Sequence, residues 1–246
     1  MKIRIRFSKY GVLKFIGHLD VMRYFQKALR RADIDILYSS GYSPHQIMSF
    51  ASPLGVGLTS EGEYMDIEVG HTDSSKESIR RLNAVMAEGI DVLSYRELPE
   101  KSQNAMSSVA AADYTVSFRE GMGPALLSAD TACPHPDTDW QNKLLDFYNQ
   151  PSVFITKKTK KSEREVDLKP HIHELSFPSD DTVFMRLTAG SAENIKPELV
   201  MEAFFSSIGQ EMKPHALLIH RKDLLANTGT EEHPVYRSLD DFGEDI

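Results

Sequence analysis

Residues 2–8 read KIRIRFS, and this opening stretch sets the fold of the N-terminal half. Charged and apolar side chains alternate here. Because successive side chains of a strand point to opposite faces, the alternation predicts a half-buried β-strand. Over residues 19–32 the apolar positions recur at the spacing of an amphipathic helix, and most of the basic side chains lie off the apolar stripe. The chain is therefore predicted to begin with a strand followed by a helix.

The remaining elements of the N-terminal half complete a known plan. Strands are predicted over 47–58 and 63–69, a helix over 75–88 and a strand over 90–95. The resulting order, β-α-β-β-α-β, is that of the ferredoxin-like motif. Predicted strands and helices between residues 114 and 220 repeat this order. The sequence therefore predicts an α+β fold made of two tandem ferredoxin-like (β-α-β-β-α-β) domains.

Changes in composition along the chain place the domain boundaries. The final stretch holds six acidic residues and one arginine, with little apolar periodicity, which is typical of disorder. The predicted organisation is an N-terminal ferredoxin-like domain at 1–98, a polar linker at 99–111, a C-terminal ferredoxin-like domain at 112–226 with an insertion at 120–138, and an acidic, disordered tail at 227–246.

Length and composition bound the class of protein. The chain has 246 residues, of which 41% are hydrophobic, so it can bury real cores. No apolar run approaches the roughly 18 residues that span a bilayer, and the alternating N-terminus does not resemble a signal peptide. We therefore expect a cytoplasmic protein without a membrane partner. The net charge of −8 gives only a slight argument against nucleic-acid binding, because the tail carries five of the excess negative charges.

The chain contains one cysteine, Cys133. A single thiol cannot form an internal disulfide, a CxxC metal clip or the ligand set of an iron–sulfur cluster. No hydrolase, metalloprotease, nucleotide-binding or dinucleotide-binding motif is present either. We therefore expect no metal and no cofactor on this chain.

Two candidate site segments lie in the N-terminal half. His18 and Asp20 open the first helix, where Asp20 favours the positive end of the helix dipole, so capping is the structural alternative. Tyr42 and His45 lie in a glycine-rich loop, where the tyrosine ring offers a surface for stacking. The two histidines are the candidate catalytic residues, as general acid–base groups in a shared site. All four side chains are candidate substrate contacts, although a glycine-rich hairpin without function explains the loop equally well.

The third candidate segment is the one dense basic run of the chain, and it lies in the predicted C-terminal domain. Its basic members are Lys157, Lys158, Lys160, Lys161 and Arg164. On a loop or hairpin these side chains could neutralise several phosphates of a nucleic acid at once. A solvated surface run without a ligand is the alternative. We include the five residues among the candidate substrate contacts.

An ordered series of short motifs resembles one known family. The series runs FIGHLD at 15–20, ALRRA at 28–32, SGYSPH at 40–45, PLGVG at 53–57, GEYMD at 62–66, TKKTKK at 156–161 and DLKP at 167–170. With these motifs the chain resembles the radical-SAM-linked domain-of-unknown-function family, a small protein encoded beside a radical-SAM enzyme or fused to its C-terminus. The resemblance spans roughly residues 1–225. Many relatives carry a lysine where Gln46 stands here, and the acidic tail has no counterpart.

The resemblance implies a partner and a role. The partner is a radical-SAM enzyme, and the role is that of an accessory, non-catalytic module that helps present a substrate, with RNA as a candidate by analogy of fold. One alternative is a metal-independent RNA-processing enzyme that uses His18 or His45. The other alternative is a structural partner protein that contacts no substrate.

Overall fold

The computed structural model describes residues 1–124, 139–158 and 163–246, without the side chains of residue 139 and of positions 156–158 and 163–164. The fold mixes α and β structure, with a large, mostly antiparallel sheet and few helices. The chain divides into two compact units. Unit 1 comprises Met1–Ala112, Gly190–Ala192 and His220–Ile246, and unit 2 comprises Asp113–Ala189 and Glu193–Ile219.

Unit 1 is a sheet with two main helices. Its elements are β1 (Lys2–Lys9), a 3-10 helix (Gly11–Phe15), α1 (His18–Arg31), β2 (Met48–Phe50), β3 (Thr59–Glu68), α2 (Ser75–Asn83), β4 (Val92–Leu98), α3 (Ala105–Ser108), the start of β5 (Ala111–Phe118), most of β10 (Leu217–Asn227), β11 (Tyr236–Ser238) and a second 3-10 helix (Leu239–Phe242). In the sheet β1 lies between β4 and β3, and β2 also pairs with β3, all antiparallel.

The predicted first strand and first helix form the centre of this unit. The alternation in β1 places Ile3, Ile5 and Phe7 in the core, and Ile5 lies opposite Met65 of β3. The buried side of α1 packs against this face through residues that include Phe25, whose ring centroid lies 4.6 Å from that of Phe7. The apolar positions of β1 and α1 therefore form a shared core, as their spacing predicts, although Arg4 on the other face of β1 is buried as well.

Helix α2 is shorter than the predicted helix over 75–88. It begins after Ser74, whose hydroxyl accepts from the Glu77 backbone N–H at 3.3 Å, and it ends at Asn83. The Asn83 side chain exchanges two hydrogen bonds with the backbone of Val92 in β4, at 3.0 and 2.8 Å. This side chain ties the last turn of the helix to the sheet and leaves residues 84–90 as a return loop.

The C-terminal residues form part of unit 1, which differs from the expectation of a disordered tail. Leu239 is fully buried, and the Asp240 carboxylate accepts a short hydrogen bond from the Ser94 hydroxyl. Glu244 and Glu97 exchange backbone hydrogen bonds of 2.9 and 3.0 Å. The segment docks despite its acidic composition, because Leu239 is buried and Asp240 and Glu244 form hydrogen bonds with β4.

The segment 99–111, expected to be a polar linker, also contacts the sheet. It contains α3, and the backbone N–H of Ala105 donates to the Asp66 carboxylate at 2.7 Å. The Ala105 side chain is buried, while Asn104 caps the short helix by accepting from the Ser107 N–H at 2.9 Å. This segment is therefore a packed part of unit 1.

Unit 2 contains more strands than the predicted six-element plan. Its elements are the end of β5, α4 (Asp139–Tyr148), β6 (Phe154–Lys158), β7 (Glu163–Asp167), β8 (Ile172–Ser179), β9 (Thr182–Thr188), α5 (Pro197–Ser207) and the start of β10. Strand β9 lies between β5 and β8, and β6 and β7 form a separate antiparallel hairpin. Strand β7 was missed because it begins inside the charged run 157–164. Strand β8 was missed because Pro170 lies just before it and a proline argues against a strand. Of the predicted insertion at 120–138, residues 125–138 lie outside the described part of the chain.

Across the described ranges, none of the helices is both long and apolar enough to cross a membrane.

Candidate functional site

A buried ion pair joins distant parts of the sequence in unit 1. The Arg221 guanidinium donates to the Glu63 carboxylate through two hydrogen bonds, from Nε at 2.9 Å and from Nη2 at 2.6 Å, and both side chains are buried. The same Nη2 donates to the backbone carbonyl of Ser52 at 3.0 Å. The pair therefore links β10, β3 and the loop that follows β2.

Lys9 is the third buried charged side chain of this region. Its Nζ donates to the carbonyl oxygens of Ile16 at 3.0 Å and Lys14 at 3.4 Å. Burial lowers the pKa of the Lys9 ammonium, the nearby Glu63 carboxylate raises it in part, and Arg221 lowers it further. The lysine therefore holds the backbone that connects the first 3-10 helix to α1.

Four large apolar side chains are exposed to solvent on the segments that the hydrogen bonds of Lys9 and Arg221 anchor. Val12 is 77% exposed, Phe15 64%, Leu19 60% and Val56 60%. Val12 and Phe15 are three residues apart in a 3-10 helix, so they lie on the same side of it. The backbone N–H of Gly57 donates to the Lys14 carbonyl at 2.8 Å, which brings Val56 beside the 3-10 helix. We call these four residues the apolar cluster.

The apolar cluster has the composition of an association surface. Single exposed apolar residues are ordinary on any protein, but a group of them on well-ordered backbone is typical of an interaction site. The Lys9 and Arg221 side chains donate to the carbonyls of Lys14, Ile16 and Ser52, and these hydrogen bonds anchor the segments that carry the cluster. Such pre-organisation lowers the entropy cost of binding.

The structure places the first predicted site segment beside this cluster. His18 begins α1 and lies half-buried, with its ring centroid 5.2 Å from that of Phe50 in an edge-on contact. Asp20 is exposed, and its carboxylate lies 3.4 Å from Nη1 of Arg23. His18 therefore packs on an aromatic ring, and Asp20 lies in the first turn as the helix dipole favours.

The second predicted segment is a separate loop. His45 is exposed and its Nδ1 lies 2.9 Å from the Ser39 hydroxyl, while Tyr42 is fully exposed. The neighbouring Gln46 side chain donates to the Gln26 carbonyl, eight residues beyond His18 in α1 and so about 12 Å farther along the helix axis. His18 therefore lies at the start of α1, whereas the loop of His45 contacts the helix near its middle through Gln46, and the two histidines do not form a hydrogen-bonded pair.

The basic run of the third segment falls largely outside the described residues. Lys160 and Lys161 lie in the part of the chain that is not described, and for Lys157, Lys158 and Arg164 only the backbone is described. These three positions belong to the β6–β7 hairpin, where Lys157 lies opposite Arg164. The role of the run as a phosphate contact stays a prediction.

Sequence reasoning missed Lys9, Glu63 and Arg221, and it missed the apolar cluster. Lys9 and Glu63 adjoin stretches that alternate like strands, where a charged side chain normally faces solvent, and Arg221 lies in the polar run 220–223, which is typical of an exposed segment. The available signal was the apolar content of the segment before α1, where Val12 and Phe15 fit neither the strand nor the helix pattern. Within the described ranges, no group of three His, Cys, Asp or Glu side chains is placed to hold a metal ion.

Comparison with protein families gives a match over residues 2–197 to the family described as "Uncharacterized protein conserved in bacteria (DUF2344)". No curated protein matches the chain.

Proposed function

The chain belongs to the DUF2344 family of conserved bacterial proteins, and we propose that it is an accessory, non-catalytic module that docks onto a radical-SAM enzyme through the apolar cluster. The observation that carries this proposal is the exposure of Val12, Phe15, Leu19 and Val56 on backbone held by buried Lys9 and Arg221. The choice of partner rests on the sequence resemblance to radical-SAM-linked proteins.

The fold supports an accessory role by analogy. We interpret residues 2–98 as a ferredoxin-like domain, because the elements follow the order β-α-β-β-α-β and β1 lies between β4 and β3. We interpret unit 2 as a variant of the same plan with additional strands. Ferredoxin-like domains serve many functions, and RNA presentation is inferred here by analogy of fold.

Copurification with the radical-SAM enzyme encoded beside this protein tests the docking proposal. We expect the wild-type chain to retain the enzyme and the Phe15→Ser/Leu19→Ser variant to lose it, because the variant removes two of the four apolar side chains of the cluster. A matched control is Leu93→Ser/Val235→Ser, which changes two apolar side chains of unit 1 that are 45% and 55% exposed. Equal retention by both variants would overturn docking through this cluster.

The two alternatives give different results in an RNA assay. A metal-independent RNA-processing enzyme would cleave RNA in the presence of a chelator, and this activity would be lost in His18→Ala or His45→Ala. A structural partner without substrate contact would bind no RNA at any salt concentration. The proposed accessory module binds RNA without cleaving it.

A further inference from the structure

A stripe of basic side chains covers the exposed face of α1. Arg23, Lys27, Arg30 and Arg31 are all exposed; Lys27 lies four residues after Arg23, and Arg30 and Arg31 lie three and four residues after Lys27. Such spacings place side chains on the same side of a helix, about one 5.4 Å turn apart. We call these four residues the basic stripe.

The basic stripe is poorly neutralised within the protein. Arg23 has one exposed carboxylate partner, Asp20. The guanidinium groups of Arg30 and Arg31 donate to backbone carbonyls, of Gln26 at 3.1 Å and Val85 at 3.1 Å. In the described part of the chain, no carboxylate lies within ion-pair distance of Lys27, Arg30 or Arg31.

Several other arginines of unit 1 have carboxylate partners among the described residues, unlike Arg30 and Arg31 of the stripe. Arg81 contacts the carboxylates of Asp33 and Asp73, and Arg80 that of Glu77. The chain as a whole has a net charge of −8. Lys27, Arg30 and Arg31, which have no acidic partner among the described residues, nevertheless form a local positive field. That field complements an anionic polymer.

An aromatic side chain lies beside the end of this stripe. Arg30 and Tyr38 line the same cleft, whose volume is about 530 Å³. The Tyr38 ring is half exposed, and its hydroxyl lies 3.5 Å from the Gln46 amide nitrogen, which also donates to Gln26 of α1. A tyrosine held next to cations offers a stacking surface for an unpaired base.

The acidic side chains of the cleft separate the positions of phosphate and base. Asp33 and Asp73 bind Arg81, and the Asp35 carboxylate accepts from the His71 backbone N–H at 2.9 Å. Carboxylates repel phosphate but can accept hydrogen bonds from base N–H groups. Phosphates therefore fit the stripe, whereas a base fits the cleft beside Tyr38.

We infer that the basic stripe of α1 contacts the phosphate backbone of a single-stranded RNA, with an unpaired base stacked on Tyr38. A single strand is required because only unstacked bases reach a cleft of this kind. The inference rests on the RNA part of the proposed function and adds a site there. The stripe begins one turn after Leu19 of the apolar cluster, so a bound strand would lie close to the docked partner.

The first test compares two variants that remove equal charge. The stripe variant is Arg23→Gln/Lys27→Gln/Arg30→Gln, and the control is Lys2→Gln/Lys76→Gln/Lys101→Gln, which changes exposed lysines elsewhere in unit 1. Affinity for a labelled, unstructured oligoribonucleotide is measured across a salt series, with thermal melts to confirm folding. We expect the stripe variant to bind more weakly and its logarithmic salt slope to fall by about 2, since each phosphate contact contributes about 0.7. The control should retain the wild-type slope.

A second ligand tests whether RNA or any polyanion is recognised. Inorganic polyphosphate carries the charge without bases. We expect Tyr38→Ala to weaken RNA binding about fivefold or more and to leave polyphosphate binding unchanged. If Tyr38→Ala binds RNA as tightly as the wild type, the surface is a general polyanion site and the RNA assignment is wrong.

The remaining outcomes separate this inference from the proposed function. If the stripe variant and the control have equal affinity and slope, the stripe is not the RNA contact, although RNA binding itself stands. If the wild-type chain binds no RNA at low salt, both the inference and RNA presentation are overturned. Docking to the radical-SAM enzyme is measured independently by copurification. A stripe variant that binds RNA normally but loses the enzyme would reassign these cations to an acidic protein partner.

Discussion

Arg221 and Glu63 are 158 residues apart in sequence and form a bidentate ion pair inside unit 1, with N–O distances of 2.9 and 2.6 Å. Both side chains are buried, so each depends on the other for compensation of its charge. The pair also holds the Ser52 carbonyl, and therefore the loop that presents Val56. Stability and the shape of the apolar cluster are coupled through these two residues.

Glu63→Gln should destabilise the fold strongly, by about 3–5 kcal/mol, because it leaves the Arg221 charge buried without compensation. Urea denaturation followed by circular dichroism measures the change in the free energy of unfolding. Glu77→Gln is the control, since it breaks the exposed ion pair with Arg80 and should change the free energy of unfolding far less than Glu63→Gln does. Equal, small losses in both variants would show that the buried pair is dispensable.

The buried ammonium of Lys9 should make stability depend on alkaline pH. Burial lowers its folded-state pKa, whereas in the unfolded chain the pKa returns to about 10.4. At a pH between these two pKa values, the unfolded state binds more protons than the folded state. The contribution of Lys9 to the free energy of unfolding therefore increases as pH rises, by at most about 1.4 kcal/mol per pH unit.

The comparison of wild type with Lys9→Met isolates this effect. We expect the wild type to gain stability relative to the variant as pH is raised toward about 10.4, in denaturation curves measured at several pH values. Lys101→Met, at an exposed position, should show a constant difference from the wild type. A Lys9→Met difference that is independent of pH would mean that Lys9 keeps an ordinary pKa in the folded protein.

The C-terminal segment should contribute to stability. Leu239→Ala removes a fully buried side chain and should cost about 2–5 kcal/mol, and deletion of residues 239–246 should cost at least as much. Val235→Ala, at a half-exposed position, should change the unfolding free energy by less than about 0.5 kcal/mol. Thermal and urea melts of the three variants provide the measurement. A truncated chain as stable as the wild type would show that the acidic end is an undocked tail after all.

The basic run of the β6–β7 region gives a separate prediction about RNA. Replacement of Lys157, Lys158, Lys160 and Lys161 by glutamine should weaken RNA binding and flatten its salt dependence together, by about 0.7 in slope for each phosphate that is no longer neutralised. The melting temperature should change little, because the sequence predicts that this dense run of charges faces solvent, where charges contribute little to stability. Binding isotherms across a salt series and thermal melts test both statements. Unchanged affinity and slope would exclude the run from the RNA site.

Local features of this protein follow from the sequence alone. Alternation in residues 2–8 and helical spacing in α1 identified most of the apolar core positions, because burial imposes a period of about 2 on strands and about 3.6 on helices. The exceptions are Arg4, which is buried on the other face of β1, and Leu19, which is exposed at the start of α1. The order β-α-β-β-α-β of residues 2–98 also follows from these periods and their breaks. Helix ends were less accurate, since the end of α2 depends on a side-chain contact between Asn83 and β4.

Which distant residues meet depends instead on the tertiary structure. Lys9, Glu63 and Arg221 each lie in a stretch that looks like an ordinary strand, and their burial together depends on β3 lying between β1 and β10. The docking of Leu239 and the separation of His18 from His45 depend in the same way on strand order and helix placement. Local periodicity reports the environment along one element, whereas contacts between elements depend on pairing across the whole chain, which no local pattern encodes.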